Sequence, residues 1–325
     1  MKKIIAALAV SLIGMSGVAK AEYPERPVLL MIPYGAGGAT DFQARIATIP
    51  AGNDDMLGMP VAIINKPGAG GRVGWNWFAN DAEKDGYTMG GYNVPHFIAQ
   101  SIKGGVDYST DSFEPIANWG SDPAVFVVGK DSNFNSMSDV VDFAKANPGK
   151  LSGASAGNGT SQHLAQELLA FKGDVKFTHV PYKGSAPAIQ DVMSGQVDFM
   201  FDTTVVAGAH IQSGKLRALA VTSGKRLTDA FTDVPTVAES GWPGTQGFEV
   251  VSWQALFAPA GTPKPIVDKL HAEILKIIQT TEMQERIKGL GMQPSALTPE
   301  QVLSFQKAEI EKWAQVIKAA NIKLE

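Results

Sequence analysis

Apolar positions along this chain fall into short solid runs, each followed by a helical stripe. Val28-Leu29-Leu30-Met31-Ile32 is apolar throughout, as expected of a strand covered on both faces. It passes through Pro33-Tyr34-Gly35-Ala36-Gly37-Gly38-Ala39-Thr40-Asp41 into a segment with Phe42, Ala44 and Ile46 at helical spacing. Thr40 or Asp41 is predicted to cap that helix. Val61 to Ile64 repeats the scheme. This second buried strand feeds Asn65-Lys66-Pro67-Gly68-Ala69-Gly70-Gly71 and a helix near Val73. Tyr87 to Tyr92 is a third strand, ending in Asn93-Val94-Pro95-His96. Strands alternating with helices predict a largely parallel sheet.

From Glu114 to Lys130, two apolar runs are split by Gly120-Ser121-Asp122-Pro123, which reads as a crossing into a second domain. Ser138 is predicted to cap a helix over Val140, Val141, Phe143 and Ala144, stopped by Asn147-Pro148-Gly149. Leu151 to Ser161 then repeats the logic of the opening loop, although the strand before Ser155 is weak, with Leu151 its main apolar residue. Strands at Phe177–Val180, Val197–Phe201 and Leu216–Val221 alternate with helices over Pro187–Met193 and Val205–Gln212. Phe248 to Phe257 reads as the return crossing. Two amphipathic helices close the chain, striped by Val267, Leu270, Ile274 and Ile277, then Val302, Phe305, Ile310, Trp313 and Ile317. The expectation is an α/β protein of two lobes with a cleft between them. Residues 22–120 plus 253–325 form lobe 1, residues 121–252 form lobe 2, and two crossing segments act as hinges near Gly120 and Val251.

Composition narrows the classes. Met1-Lys2-Lys3, an apolar run from Ile4 to Val18 and Ala19-Lys20-Ala21 make a secretory signal peptide over residues 1–21, with cleavage expected after Ala21. The net charge is −4, and removing the leader takes away three lysines and no acid. An acidic protein is a poor candidate for nucleic acid or anionic membranes. With no cysteine among 325 residues, disulfides and thiolate metal sites are excluded, which fits export to a bacterial periplasm. His96, His163, His179, His210 and His271 share no metal-ligand spacing, so neither a metal nor a cofactor is expected.

The candidate chemistry lies in the glycine loops. Tyr34, Gly35, Ala36, Gly37, Gly38, Ala39, Thr40 and Asp41 form one. Ser155, Ala156, Gly157, Asn158, Gly159, Thr160 and Ser161 form the other. Each aims backbone amides and a helix N-terminus at one point, a geometry that holds an anion without a cationic side chain. Neither has the Gly-Lys-Ser/Thr ending of a phosphate loop, and Gly35-Ala36-Gly37 lacks the third glycine of a dinucleotide fingerprint. A small carboxylate therefore fits better than a nucleotide. Asn93, His96, His163, Asp202 and Thr203 are candidate cleft residues, His163 and Asp202 being open to a role in covering a loop or capping a helix. One alternative is enzymatic. Gly153-Ala154-Ser155-Ala156-Gly157 matches the nucleophile elbow of secreted serine hydrolases, with Asp191, Asp198 or Asp202 as the acid and His210 or His271 as the base.

Several ordered stretches carry a resemblance. They are Tyr23-Pro24-Glu25-Arg26-Pro27, the loops from Pro33 to Asp41 and from Asn65 to Gly71, Asp85-Gly86-Tyr87-Thr88, and His179-Val180-Pro181-Tyr182-Lys183-Gly184. Gly195-Gln196-Val197-Asp198 and Phe257-Ala258-Pro259-Ala260-Gly261-Thr262-Pro263 continue the series. Together they resemble the periplasmic substrate-binding proteins of tripartite tricarboxylate transporters, the Bordetella uptake gene (Bug) family. The resemblance implies a type II periplasmic-binding fold and capture of a di- or tricarboxylate, an amino acid or an aromatic acid by the two loops. It also implies delivery to integral membrane transporter subunits, with no chemistry done and a monomer as the default state. The first loop departs from the family's commoner Phe-Pro-Pro-Gly-Gly-Gly-Thr-Asp, and Pro50-Ala51-Gly52 interrupts the helix after it.

Overall fold

The computed structural model describes residues 23–48, 57–93, 98, 106–228, 231–289 and 291–320. The predicted leader, His96 and the interruption at Pro50-Ala51-Gly52 lie outside the described residues. The first half runs β1 (Val28–Ile32), α1 (Ala39–Thr48), β2 (Val61–Asn65), α2 (Arg72–Asn80), β3 (Thr88–Tyr92) and β4 (Phe113–Gly129). It continues with α3 (Met137–Ala146), β5 (Ser152–Ser155), α4 (Ser161–Gly173), β6 (Thr178–Pro181), α5 (Ser185–Ser194), β7 (Phe199–Thr203), α6 (Thr204–Gln212) and β8 (Leu216–Val221). The chain ends with β9 (Val251–Pro259), α7 (Lys264–Gln279), α8 (Thr281–Gly289), β10 (Gln293–Pro294) and α9 (Pro299–Ala320).

The strands are ordered β2-β1-β3-β9-β4-β7-β5-β6, with β8 and β10 also pairing with β4. β1 is parallel to β2 and β3 in the first lobe, and β5 is parallel to β6 and β7 in the second. β4 belongs to both. Up to Pro123 it pairs antiparallel with β9, and from Ala124 with β7 and β8. The run Gly120-Ser121-Asp122-Pro123 is therefore no break. One 17-residue strand passes through it, with register shifts at Pro115/Ala117 and Asn118/Gly120. Pro123, which has no N–H to give a ladder, falls where the partner changes. Thr222 pins the crossings there. Its hydroxyl lies 2.8 Å from the Ala124 N–H and 2.5 Å from the Val250 carbonyl.

β5 was underrated by its composition. Ser152, Gly153, Ala154 and Ser155 are small because the strand is covered tightly. A Cβ on Gly153 would lie 2.5 Å from Gln166 Oε1 and 2.6 Å from the Phe199 ring. Two caps also move. Ser136, not Ser138, caps α3 in a reciprocal box with Asp139. Asp41 sits within the first turn of α1 rather than at its cap. The last helix, α9, packs against β4, which both lobes share, and against α4. Its Trp313, Val316 and Ile317 join Leu164, Leu168 and Phe199 in one buried cluster, each such side chain stabilising by about 1.5–3 kcal/mol. Among the described residues no helix is long and apolar enough to cross a membrane.

Candidate functional site

The first loop follows the carboxyl end of β1 and leaves Gly35, Ala36 and Gly37 exposed. Gly37 has φ +79°, a conformation that favours glycine. The frame is ionic. Asp41, with its side chain only 2% exposed, accepts from the Gly37 N–H and Arg45 Nε on one oxygen, each at 2.9 Å. Its other oxygen accepts from Arg45 and Asn65 Nδ2, again at 2.9 Å. Asn65 Nδ2 also reaches the Tyr34 carbonyl. Burial opposes the charge on Asp41, but hydrogen bonds from Arg45, Gly37 and Asn65 outweigh it and hold the carboxyl below its ordinary value. The Tyr34 phenol, pushed up by burial, is hydrogen-bonded to Asn93. Asp41 thus shapes the loop with its own bonding capacity filled.

The second loop follows the carboxyl end of β5, and it is framed by hydroxyls and imidazoles. Ser155 is fully buried. Its hydroxyl meets His179 Nε2 at 2.6 Å and the Gly157 amide at 3.1 Å. His163 Nδ1 accepts from the Gly159 N–H at 3.1 Å, and the two imidazoles stack with centroids 3.8 Å apart. Burial, with His163 alongside, pushes His179 down to about 3, so it is neutral at ordinary pH. Thr160 accepts from the His163 N–H as the cap of α4 and donates to the Gly157 carbonyl. The Ser155 and Ala156 carbonyls accept from Tyr182 and Gly184. His163 therefore braces loop backbone.

The two lobes meet beside these loops. The carbonyl of Asn158 lies 3.0 Å from where a Gly70 Cβ would stand, so the loop after β2 abuts the second loop. Deeper in, Gln43 of α1 donates to Asp122 of β4 at 2.8 Å, and Thr204 of α6 reaches the same carboxyl at 3.0 Å. Gln162 of α4 donates to Asp202 at 3.3 Å, with Ser185 and the Thr203 N–H on the same oxygen. The opening stretches of α1 and α4, one per lobe, thus converge on two buried acids at the partner switch of β4. Thr203, not Asp202, caps α6.

Asp122, Gln43, Gln162, Ser185, Thr204 and His179 went unread as site residues. One signal was present. A glutamine stands two residues beyond Asp41 in the first loop and two beyond Thr160 in the second. The hydrolase triad is not assembled. His271 Nδ1 lies 2.7 Å from the Ile116 carbonyl, and His210 sits in the last turn of α6. Asp191 takes the Tyr182 hydroxyl and Asp198 takes Ser152. A cavity of about 430 Å³ beside Phe134, Phe143 and Lys150 lies at Gly129, the last residue of β4 and away from Asp122.

The chain matches the family described as tripartite tricarboxylate transporter family receptor (TctC) over residues 45–322. Its fold is that of the periplasmic binding protein BugD, with a TM-score of 0.84 and 36% identity over 93% of this chain and 99% of that one. It is similar as well to MatC from Rhodopseudomonas palustris, solved with bound malate, at TM-score 0.82 and 31% identity over 91% and 100% of the two chains. A further Rhodopseudomonas palustris protein, solved with adipate, gives TM-score 0.85 and 28% identity over 93% and 99%. These neighbours place the mixed α/β architecture in the type II class of periplasmic binding proteins. With most of its length inside the family match and a Bug protein superposing along nearly the whole chain, this protein belongs to the tripartite tricarboxylate transporter receptor, or Bug, family.

Proposed function

We propose that this protein is a periplasmic receptor that closes its two lobes on a small carboxylate and hands it to the integral membrane subunits of a tripartite transporter, with no chemistry done. The observation that carries the reading is the convergence of two helix starts, one from each lobe, at a single junction between two glycine loops. The loops from Tyr34 to Asp41 and from Ser155 to Ser161 would supply amides and helix N-termini to the anion. Asn93, Asp202 and Thr203 would line the space between them. Relatives solved with malate and adipate favour four- to six-carbon dicarboxylates as the first ligands to try. Nucleic acid is not among the expected partners, and a monomer suits the role.

The test is a melting screen of the mature protein against malate, adipate, citrate and benzoate, run beside an ester-hydrolysis assay. A ligand at a hundred times its Kd stabilises by about 2.7 kcal/mol, a shift of several degrees. A flat screen together with ester turnover that vanishes in Ser155→Ala would overturn the receptor reading in favour of a hydrolase.

A further inference from the structure

At the junction of the lobes the structure poses an electrostatic problem for an anion. Asp202 is fully buried and Asp122 is 1% exposed. Asp202 spends one oxygen on the Thr203 N–H, Ser185 and Gln162, while its other oxygen, Oδ2, is buried without a partner. The groups facing the pair are an amide from α1 (Gln43), an amide from α4 (Gln162), a hydroxyl from α5 (Ser185) and a hydroxyl from α6 (Thr204). From β4 comes the other acid, Asp122, on which the charge of Asp202 acts. Among the described residues no Lys, Arg or His is bonded to either acid. Three basic side chains near the loops are engaged elsewhere. Arg45 is on Asp41, Lys66 lies over the Trp77 ring and Arg72 reaches the Ala69 carbonyl. His163 turns to Gly159 and Glu167.

We propose, on the basis of the receptor reading above, that the cleft takes up a proton together with its carboxylate ligand, and that Asp202 holds this proton and donates it in a hydrogen bond to the ligand. An ionised Asp202 beside an ionised Asp122 would repel an incoming anion in a site with little water to screen it. Protonation removes that charge and turns the unpartnered Oδ2 from an acceptor into a donor. An O–H donor to a carboxylate is among the stronger hydrogen bonds. The bonding of Thr204 is compatible with a proton on the pair. Its single hydroxyl hydrogen serves two acceptors, Asp122 Oδ1 at 3.0 Å and the Gly291 carbonyl at 3.1 Å. Both contacts are satisfied when Asp122 donates to Thr204 and Thr204 to Gly291. Burial supports the same state, pushing Asp122 up to about 7, with Asp202 adding to the push, and Asp202 up to about 6. The proton comes from solvent as the ligand enters and returns to solvent when it leaves, so no covalent step is involved.

The experiment is isothermal titration of the mature protein with malate and with adipate, in phosphate and in Tris buffer, between pH 7 and 8.5. Both ligands are fully ionised there, so any proton taken up belongs to the protein. The expected result is uptake approaching one proton per ligand and a Kd that rises by up to about tenfold per pH unit. Asp202→Asn keeps a donor but cannot titrate. It should bind with a flat pH profile and no uptake, whereas a purely structural role would lower its melting point and leave the proton count unchanged. Binding by the wild type with equal heats in the two buffers would overturn the proposal while leaving the receptor reading intact, and this needs no variant to fold. Full uptake in Asp202→Asn would also overturn it. Failure of both probes and of the wider melting screen to bind would remove the receptor reading and the proton with it.

Discussion

The two glycine loops reach the same local geometry by opposite means. Both follow the carboxyl end of a parallel strand, both need positive φ at a glycine, and both open into a helix. The first is exposed and framed by a carboxylate, a guanidinium and an asparagine, with Asp41 at the centre. The second is partly buried and framed by a serine, a threonine and two stacked imidazoles, of which His179 is held neutral. The difference teaches where each lobe can tolerate charge. Arg45 is half exposed, so its side of the ion pair stays in solvent and the pair costs little to keep. Beneath the second lobe's surface an ionised group would need desolvation, and neutral donors and acceptors do the same work. The first loop should therefore answer to salt, and the second to acid.

The largest effect is expected from His179→Ala. The substitution removes the ring stacked on His163 and the shortest hydrogen bond of the buried Ser155 hydroxyl, which keeps only Gly157 as a partner, a loss of about 2–3 kcal/mol at pH 7. Its pH dependence has a definite sign. His179 is pushed from its ordinary 6.5 to about 3, so the stability it contributes by staying neutral is complete above about pH 6.5 and drains away as pH falls towards 3. The variant has nothing to lose in that window. The gap between wild type and variant should narrow by at most about 1.4 kcal/mol per pH unit below 6.5. Urea midpoints at pH 7 and pH 5 measure this, and a gap that stays constant would mean that the imidazole is not held neutral.

A smaller loss is expected from Asp41→Asn, about 1–2 kcal/mol, because Arg45 is half exposed and solvent replaces part of the pair. The carboxyl is held below its ordinary value. Its contribution is therefore complete above about pH 4 and is lost only in stronger acid, so the cost of the substitution should be flat from pH 5 to 8. Raising NaCl from low to about 1 M should shrink this cost through screening, while the cost of His179→Ala stays put. Equal salt responses in the two variants would erase the contrast between the loops.

How much of this was legible depends on the range over which the residues cooperate. Gly35, Gly37 and Gly38, and then Gly157 and Gly159, announce themselves because a turn from strand to helix needs glycine locally. β1 is a solid apolar run, and the structure covers it as that pattern requires. β5 hid because its tight covering by Gln166 and Phe199 demands small residues, which look like loop. β4 seemed divided because glycine and proline mark turns as well as places where a strand changes partner. The acid junction was the least readable part. Asp122 finds Gln43 and Thr204 about 80 residues away on either side, and no spacing rule links positions joined only by the folding of two lobes onto one strand. The pairing of Ser155 with His179 was hidden likewise, since it follows from β5 and β6 lying side by side.

The contact between lobes gives the smallest effect on stability and the sharpest one on closure. Gly70 has φ +65°, and a methyl group there would stand 3.0 Å from the Asn158 carbonyl of the second loop. Gly70→Ala therefore carries two costs, backbone strain of about 1 kcal/mol and a clash that exists only when the lobes are together. Gly195, which closes α5, has φ +76° with open space around its Cβ position, so Gly195→Ala carries the strain alone. Both variants should lose about the same in melting of the free protein if the unliganded molecule spends its time open. Only Gly70→Ala should weaken malate or adipate binding, by several-fold, because the closed state alone feels the methyl group. If Gly195→Ala weakened binding equally, the approach of Gly70 to Asn158 would have no part in closure, and the second loop would work without its neighbour from the other lobe.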